Sequence, residues 1–392
     1  MHNRWIMLAV LFAARTAMGF QFQSVAATSN QLIETLAIDY AVLGTLIGLF
    51  MLPGIVMALP SGYLAGRFGD KAVALLGIIL MVIGGVIMAL ADGVMLAGAG
   101  RVIAGIGAVL FNVVTTKMVI DWFVGREIAS AMAILVASWP LGIGAALLSL
   151  GALAQATSLT HALLAPPAFC AVTAILVALV YRSPAQASPA SSPDGQGARQ
   201  PARLSAREFW LVCLAGLIWT AYNSGYIIVL SFAPDHLSET GFSTADAGPL
   251  ISIVAWVLVP ASPLLGALAE RINRPYLIMA GSFALTVAAI AAMPVVDAPI
   301  SLLLFFALAF SASAGLIMAL PGALLQPQNR AVGTGIFFTW YYIGMAALPP
   351  LAGLGRDMTG QTLAPVLIGG LILATTLIWL ALLRIGQAHS NV

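Results

Sequence analysis

Charge is what this chain has least of. Only 8% of its 392 residues are Asp, Glu, Lys or Arg, against about 25% in soluble domains. With 61% hydrophobic residues, such a chain cannot cover a water-exposed globule, which excludes a soluble fold. Nothing in the composition supports nucleic-acid binding. The two cysteines, Cys170 and Cys213, both lie in apolar runs and form no disulfide or metal pattern. No loop carries a motif for phosphoryl, acyl or metal chemistry, so no enzyme activity, cofactor or metal is expected. The apolar runs are continuous rather than alternating, which excludes a membrane β-barrel and leaves spanning helices. Within these runs there is no Asp, Glu, Lys or His. His2, His161, His236 and His389 fall at segment ends or in tails, and all fourteen acids lie outside. A buried carboxylate or histidine proton relay is therefore not expected.

What is present is a set of twelve apolar stretches of roughly the 20 residues a span requires. They cover approximately 5–27, 41–62, 72–91, 94–116, 128–151, 161–181, 209–233, 247–269, 276–296, 299–325, 331–354 and 363–383. The start, His2 to Ala14, has the form of a signal peptide, but the run continues past Arg15 to about Ala27, which fits a first span. With the amino terminus in the cytoplasm, thirteen of the sixteen Lys and Arg fall on the cytoplasmic side and only Arg356 on the other. This positive-inside bias places both termini in the cytoplasm and the chain in a cell inner membrane. Residues 183–207, rich in Ser, Pro, Ala and Gln, read as a flexible cytoplasmic linker between six-helix units at 1–182 and 208–392. The halves repeat at an ungapped offset of 204: Gly44, Gly62, Leu64, Ala65, Arg67 and Gly77 fall on Gly248, Gly266, Leu268, Ala269, Arg271 and Gly281, and Arg126 falls on Arg330. The expected architecture is an all-α membrane protein with two pseudo-symmetric six-helix bundles related by an axis along the membrane normal. It is expected to be a monomer in the lipid bilayer.

The remaining two positive charges, Arg15 and Arg101, lie inside apolar stretches. Each costs about 2.5–3.5 kcal/mol at a helix centre on insertion scales, and such residues generally face a cavity. With no carboxylate at that depth, an anion is the natural counter-charge, and a guanidinium fork suits carboxylates and similar oxyanions. On the fourth stretch Arg101, Gly105, Ala108, Asn112 and Thr115 share one helical face; on the first, Arg15 shares a face with Met18, Gly19 and Phe22. Antiparallel helices would let the two arginines converge in the outer half of the cavity. On the seventh stretch Trp219, Tyr222, Asn223 and Tyr226 share a face, with Trp219 at the position equivalent to Arg15. This arrangement suggests an aromatic, hydrogen-bonding wall opposite a cationic one, or generic helix packing. Gln21, Gln23, Trp340, Tyr341 and Tyr342 are further candidates.

The segment Gly62-Tyr-Leu-Ala-Gly-Arg-Phe-Gly-Asp-Lys71 resembles the loop 2–3 signature of the major facilitator superfamily, and Arg101-Val-Ile-Ala-Gly105-Ile-Gly107 resembles its fourth-helix motif. The resemblance implies alternating access by rocking of two bundles around a site lined mainly by the first, fourth, seventh and tenth helices. It also implies a second use for Arg101, hydrogen bonding to carbonyls of the first helix. The usual acid of the loop signature is replaced by Gly66, while Glu270 keeps the equivalent place in the second half. A gate of Arg67, Arg126, Glu270 and Arg271 follows from the resemblance, with Glu270 either pairing with Arg126 or balancing Arg271 and Arg274 in a solvated loop. Trp139-Pro140-Leu-Gly142-Ile-Gly144 partly resembles the antiporter motif of drug exporters and otherwise marks a kink. The run Gly44–Gly54 with Ala58-Leu-Pro60 resembles the cyanate- and nitroimidazole-permease branch.

The expectation is a transporter of a small organic or inorganic anion, working by uniport, by exchange, or by entry with a bound proton. An exporter of drugs or neutral metabolites is the rival within the fold. A non-transporting membrane sensor or assembly partner is the rival from another class, and would want a soluble domain that this chain does not show.

Overall fold

The computed structural model describes residues 3–123, 127–184, 204–272, 274–296 and 298–388. Helices in chain order are α1 Arg4–Ala27, α2 Ser29–Leu36, α3 Tyr40–Leu49, α4 Gly54–Phe68, α5 Asp70–Ala89, α6 Val94–Phe123, α7 Ile128–Ala156 and α8 Leu159–Val180. The second half continues with α9 Ala206–Glu239, α10 Thr244–Ile272, α11 Pro275–Ala292, α12 Pro299–Ser311, α13 Ala314–Leu324, α14 Arg330–Thr359 and α15 Leu363–Ala388. Among the described residues, eleven segments are long and apolar enough to cross a membrane. The remaining stretch is the 30-residue α14, whose apolar character is thinned by Trp340, Tyr341, Tyr342, Pro349 and Pro350. Most of the proposed 183–207 linker lies outside the described residues.

Two expected single spans are each divided in two. The second breaks between α3 and α4, where Pro53 has no N–H to return to the Leu49 carbonyl. The tenth loosens at Ala312–Ser313 between α12 and α13, and the Tyr222 hydroxyl of α9 donates to the Phe310 carbonyl there at 2.8 Å. The seventh runs longer than expected at both ends. Ser205 and Glu208 form a capping box at its start, and Asp235 and Glu239 in its last turns hold Arg356 of α14 at 3.1 and 3.8 Å.

The ends of the helices bearing Arg67, Lys71, Lys117, Arg182, Arg207, Arg271, Arg274 and Arg384 define a basic end of the molecule. At the opposite end the two bundles are closed by glycine-backed seams. Along α3 and α14, a Cβ at Gly353 would overlap the Tyr40 carbonyl, one at Gly44 the Pro349 carbonyl, and one at Gly48 the Ala346 carbonyl. The pseudo-equivalent seam joins α7 to α10, where a Cβ at Gly248 would lie 2.6 Å from the Leu147 carbonyl. Small residues permit this backbone approach in lipid, where packing rather than hydrophobic burial drives association. Gly44 and Gly248, one repeat apart, therefore serve the same purpose. The α3–α14 seam continues to Gly54, which faces the Tyr342 ring, and stops there: Gly62 and Gly66 of α4 and Gly266 of α10 have nothing within 4 Å of a built Cβ. The molecule is closed at its acidic end, which carries Glu34, Asp39, Asp235, Glu239 and Asp357, and parted at its basic end.

Candidate functional site

The seam stops at one level of the molecule. Arg15, Asn112, Trp219, Tyr341 and Tyr342 each sit 11 to 13 residues from the basic end of their helices. At 1.5 Å per residue this is about 17–20 Å, near the middle of a 30 Å hydrocarbon layer. The five residues come from α1, α6, α9 and α14, so both bundles contribute.

Arg15 is partly buried. Its Nε donates to Asn112 Oδ1 at 3.1 Å and its Nη1 to the Leu135 carbonyl of α7 at 2.7 Å. The Leu135 carbonyl also accepts from Ser138 Oγ at 2.5 Å. Nη2 has no hydrogen bond among the described residues, and no carboxylate pairs with this guanidinium. From the other bundle, the Tyr341 and Tyr342 phenols lie within electrostatic range of it, and Tyr342 sits beside the Asn112 amide. Asn112, bonded to Arg15, thus lies between that guanidinium and Tyr342 of the other bundle. The sequence offered the two tyrosines only as secondary candidates. Counting residues from the basic end of each helix would have brought them level with Arg15.

The four residues of the aromatic face on α9 have different surroundings. Trp219 is partly exposed inside the molecule; its ring is stacked with Tyr222 at 5.7 Å and Phe337 at 6.0 Å, and tilted against Tyr341 at 6.3 Å. Its Nε1 is buried and has no partner. Asn223 donates to the Trp219 carbonyl at 2.8 Å and is partly exposed. Tyr222 corrects the expectation. Its ring stacks on Phe310 at 3.8 Å and its hydroxyl is spent on the Phe310 carbonyl, so it repairs the α12–α13 break. Tyr226 is buried against the same Phe310 at 4.8 Å, with its hydroxyl unpartnered.

Arg101 corrects the expectation more sharply. It is 2% exposed and does not converge with Arg15. Nε donates to the Leu46 carbonyl at 2.9 Å, Nη1 to the Gln21 carbonyl at 3.1 Å and Nη2 to the Phe22 carbonyl at 3.0 Å. The guanidinium lies 4.6 Å from the centre of the Phe50 ring. The physical reason is the broken second span. Leu46 is in the last turn of α3, whose carbonyls have lost their helical partners and whose dipole favours a cation. Gly105, on the same face of α6, admits the Phe50 backbone rather than a ligand. Arg101 is thus a three-helix tie among α1, α3 and α6. Arg15 and the Gln21 carbonyl are about 9 Å apart along α1.

Two other candidates are also structural. Gln21 donates to the Met81 carbonyl at 2.7 Å, and in the Trp139–Gly144 motif Gly142 admits α1 while Gly144 meets Trp256 of α10. Gln23 is buried with both amide atoms unpartnered. Thr115 Oγ1, on the α6 face, is likewise unpartnered. Of the gating set, Arg67 is exposed over the Phe68 ring at 5.4 Å, and Arg271 is exposed at the end of α10. Arg126 and the Glu270 side chain lie outside the described residues, so their pairing has no geometry here.

The family profile described as Major Facilitator Superfamily matches residues 8–349, and the chain belongs to that superfamily. Similar solved structures include the inward-open xylose transporter XylE from E. coli, at TM-score 0.78 and 14% identity over 96% of each chain. A bacterial homolog of the human lysosomal transporter Spinster, inward-facing and unoccupied, aligns at TM-score 0.73 and 16% identity over 98% of this chain and 96% of its own. A D-xylose–proton symporter aligns at TM-score 0.76 and 15% identity over 95% and 97%. No curated protein sequence matches. The chain is therefore a membrane transporter of that superfamily, not an enzyme.

Proposed function

We propose that this transporter moves a small anion, held at mid-membrane between Arg15 and Asn112 of one bundle and Trp219, Tyr341 and Tyr342 of the other. The observation that supports this reading is Arg15 itself: a guanidinium at the level where the cleft begins, with a free Nη2 edge and no carboxylate beside it. Trp219 Nε1 supplies a second unmatched donor, and the ring cluster beside it suits an anion with a planar or apolar body. Asn223 and Tyr226 are secondary contacts.

In this reading the basic end is cytoplasmic, both termini lie on that side, and the protein resides in an inner membrane as a monomer. The parted basic end then corresponds to an inward-facing state. Three coupling modes fit the interior: uniport, anion exchange, or co-entry of anion and proton.

The test is ligand-induced stabilisation of the purified protein across matched anions and neutral isosteres. A ligand at 100 times its Kd adds about 2.7 kcal/mol. Selected anions should raise Tm in the native chain, and Arg15→Gln should abolish the rise while lowering the unliganded Tm by much less than Arg101→Gln does. Stabilisation by neutral or cationic compounds that survives Arg15→Gln would support the exporter reading instead.

A further inference from the structure

A basic-rimmed groove lies far from the central cleft. At the basic end, between α11 and α15, a groove of about 600 Å³ is lined by Arg274, Tyr276 and Arg384 at its rim and by Leu277, Ala280, Leu377, Leu380 and Ala381 along its wall. Three features of the rim point to a bound negative charge. Both arginines are exposed, and neither forms a salt bridge among the described residues. Arg384 is held over the Tyr276 ring at 4.5 Å, and that phenol accepts from Gln387 Nε2 at 2.8 Å, so the guanidinium is positioned rather than trailing in water. The first turn of α11 starts with Pro275 and has no side-chain cap, which leaves uncapped amides at the positive end of an 18-residue helix whose first residues line the same groove.

The wall points to what carries that charge. Leu277 is 64% exposed and Ile378, on the neighbouring turn of α15, is 57% exposed. On spanning helices such residues meet acyl chains, not water. A free anion would use the rim and leave the apolar trough below it unused. We propose that this groove binds an anionic phospholipid, its phosphate between Arg274, Arg384 and the start of α11, and one acyl chain along Leu277, Ala280 and Leu377. Basic pockets between helices at a membrane surface are suited to such headgroups. The site is independent of the central substrate and of its identity.

The experiment is native mass spectrometry of the detergent-purified full chain, titrated with phosphatidylglycerol and with phosphatidylcholine of the same acyl chains. Phosphatidylglycerol should be retained preferentially, with roughly fivefold preference contributed by each arginine. Arg274→Gln with Arg384→Gln should remove most of that preference, and either single variant about half of it on a logarithmic scale. Inorganic phosphate and glycerol phosphate at equal concentration should not displace the lipid. Equal retention of the two lipids by the native chain would overturn the proposal, and needs no variant to be read. Full displacement by inorganic phosphate would overturn it in favour of a free-anion site. A preference undiminished in the double variant would place lipid binding elsewhere.

Discussion

Two arginines at membrane depth do different work because their neighbours differ. Arg101 donates to three carbonyl oxygens. Arg101→Gln leaves that of Leu46 without a donor and removes the guanidinium from over the Phe50 ring, while the Gln21 and Phe22 carbonyls keep their donors within α1. At about 1–3 kcal/mol for one buried unsatisfied carbonyl and about 0.5–2 kcal/mol for the lost cation–π contact, this variant should lower the thermal stability of the purified protein by roughly 3 kcal/mol. Any loss of transport should accompany loss of folded protein. Arg15→Gln releases the Leu135 carbonyl, which Ser138 still serves, and the partly buried Asn112 side-chain oxygen, so its stability should change by no more than about 1–2 kcal/mol. A Tm shift of equal size in the two variants would contradict this division. From the sequence the two positions look alike, since both are arginines on polar-and-small helical faces. What separates them is the end of α3 at Leu49, four residues before Pro53. Nothing in an unbroken apolar run announces that carbonyls will be left exposed there. Arg15 with Asn112 was legible because both lie on faces read directly from helical spacing. Tyr222 was misread for the same reason as Arg101: helical spacing gives a face, but not the break in α12–α13 that consumes its hydroxyl.

The elements that close the acidic end are α3 and α14. Beyond the glycine contacts, Asp357 near the end of α14 accepts from the backbone N–H of Tyr40 at 3.0 Å and of Ala41 at 2.8 Å. A carboxylate from one bundle therefore caps the first turn of a helix in the other, where negative charge is favoured. Arg356, adjacent in sequence, lies over the Tyr40 ring at 5.0 Å while paired with Asp235. Asp357→Ala should weaken this closure by about 1–3 kcal/mol, a roughly 5- to 150-fold shift toward the state open at the acidic end. The check is the rate at which an impermeant thiol reagent applied from that side labels Asn223→Cys; Cys170 and Cys213 are buried and should contribute little background. An unchanged labelling rate would show that the cap does not hold the seam. A bulkier test is Gly48→Leu, whose side chain has no room against Ala346 and should stop transport by preventing closure. Transport at the native rate would mean that this end need not close. The glycine repeat at an offset of 204 was visible in the sequence, whereas the Asp357 cap was not, because it joins residues more than 300 positions apart.

At the scale of the whole molecule, twelve stretches, a charge bias and an internal repeat were enough to define the architecture. These signals are periodic and compositional, so no knowledge of partners was needed. The direction in which the cleft opens was not legible. It depends on how closely α3 meets α14 and α7 meets α10, and the repeat alone is equally compatible with either end being shut. The parted basic end makes its own prediction: Tyr63→Cys, on an α4 surface where the native side chain is 70% exposed, should react faster with an impermeant reagent from the basic side. Addition of transported anion should change that rate by altering the balance of states.

The central claim is that Arg15 neutralises a negatively charged passenger at mid-membrane. Uptake of labelled anions into proteoliposomes, with native chain, Arg15→Gln and Arg15→Lys in parallel, tests it most directly. Loss of a charge-assisted hydrogen bond of about 1.5–3 kcal/mol predicts that Arg15→Gln lowers anion uptake by roughly 10- to 100-fold, with Arg15→Lys keeping an intermediate rate. Anion uptake by Arg15→Gln at the native rate, from protein equally folded and inserted, would contradict the account.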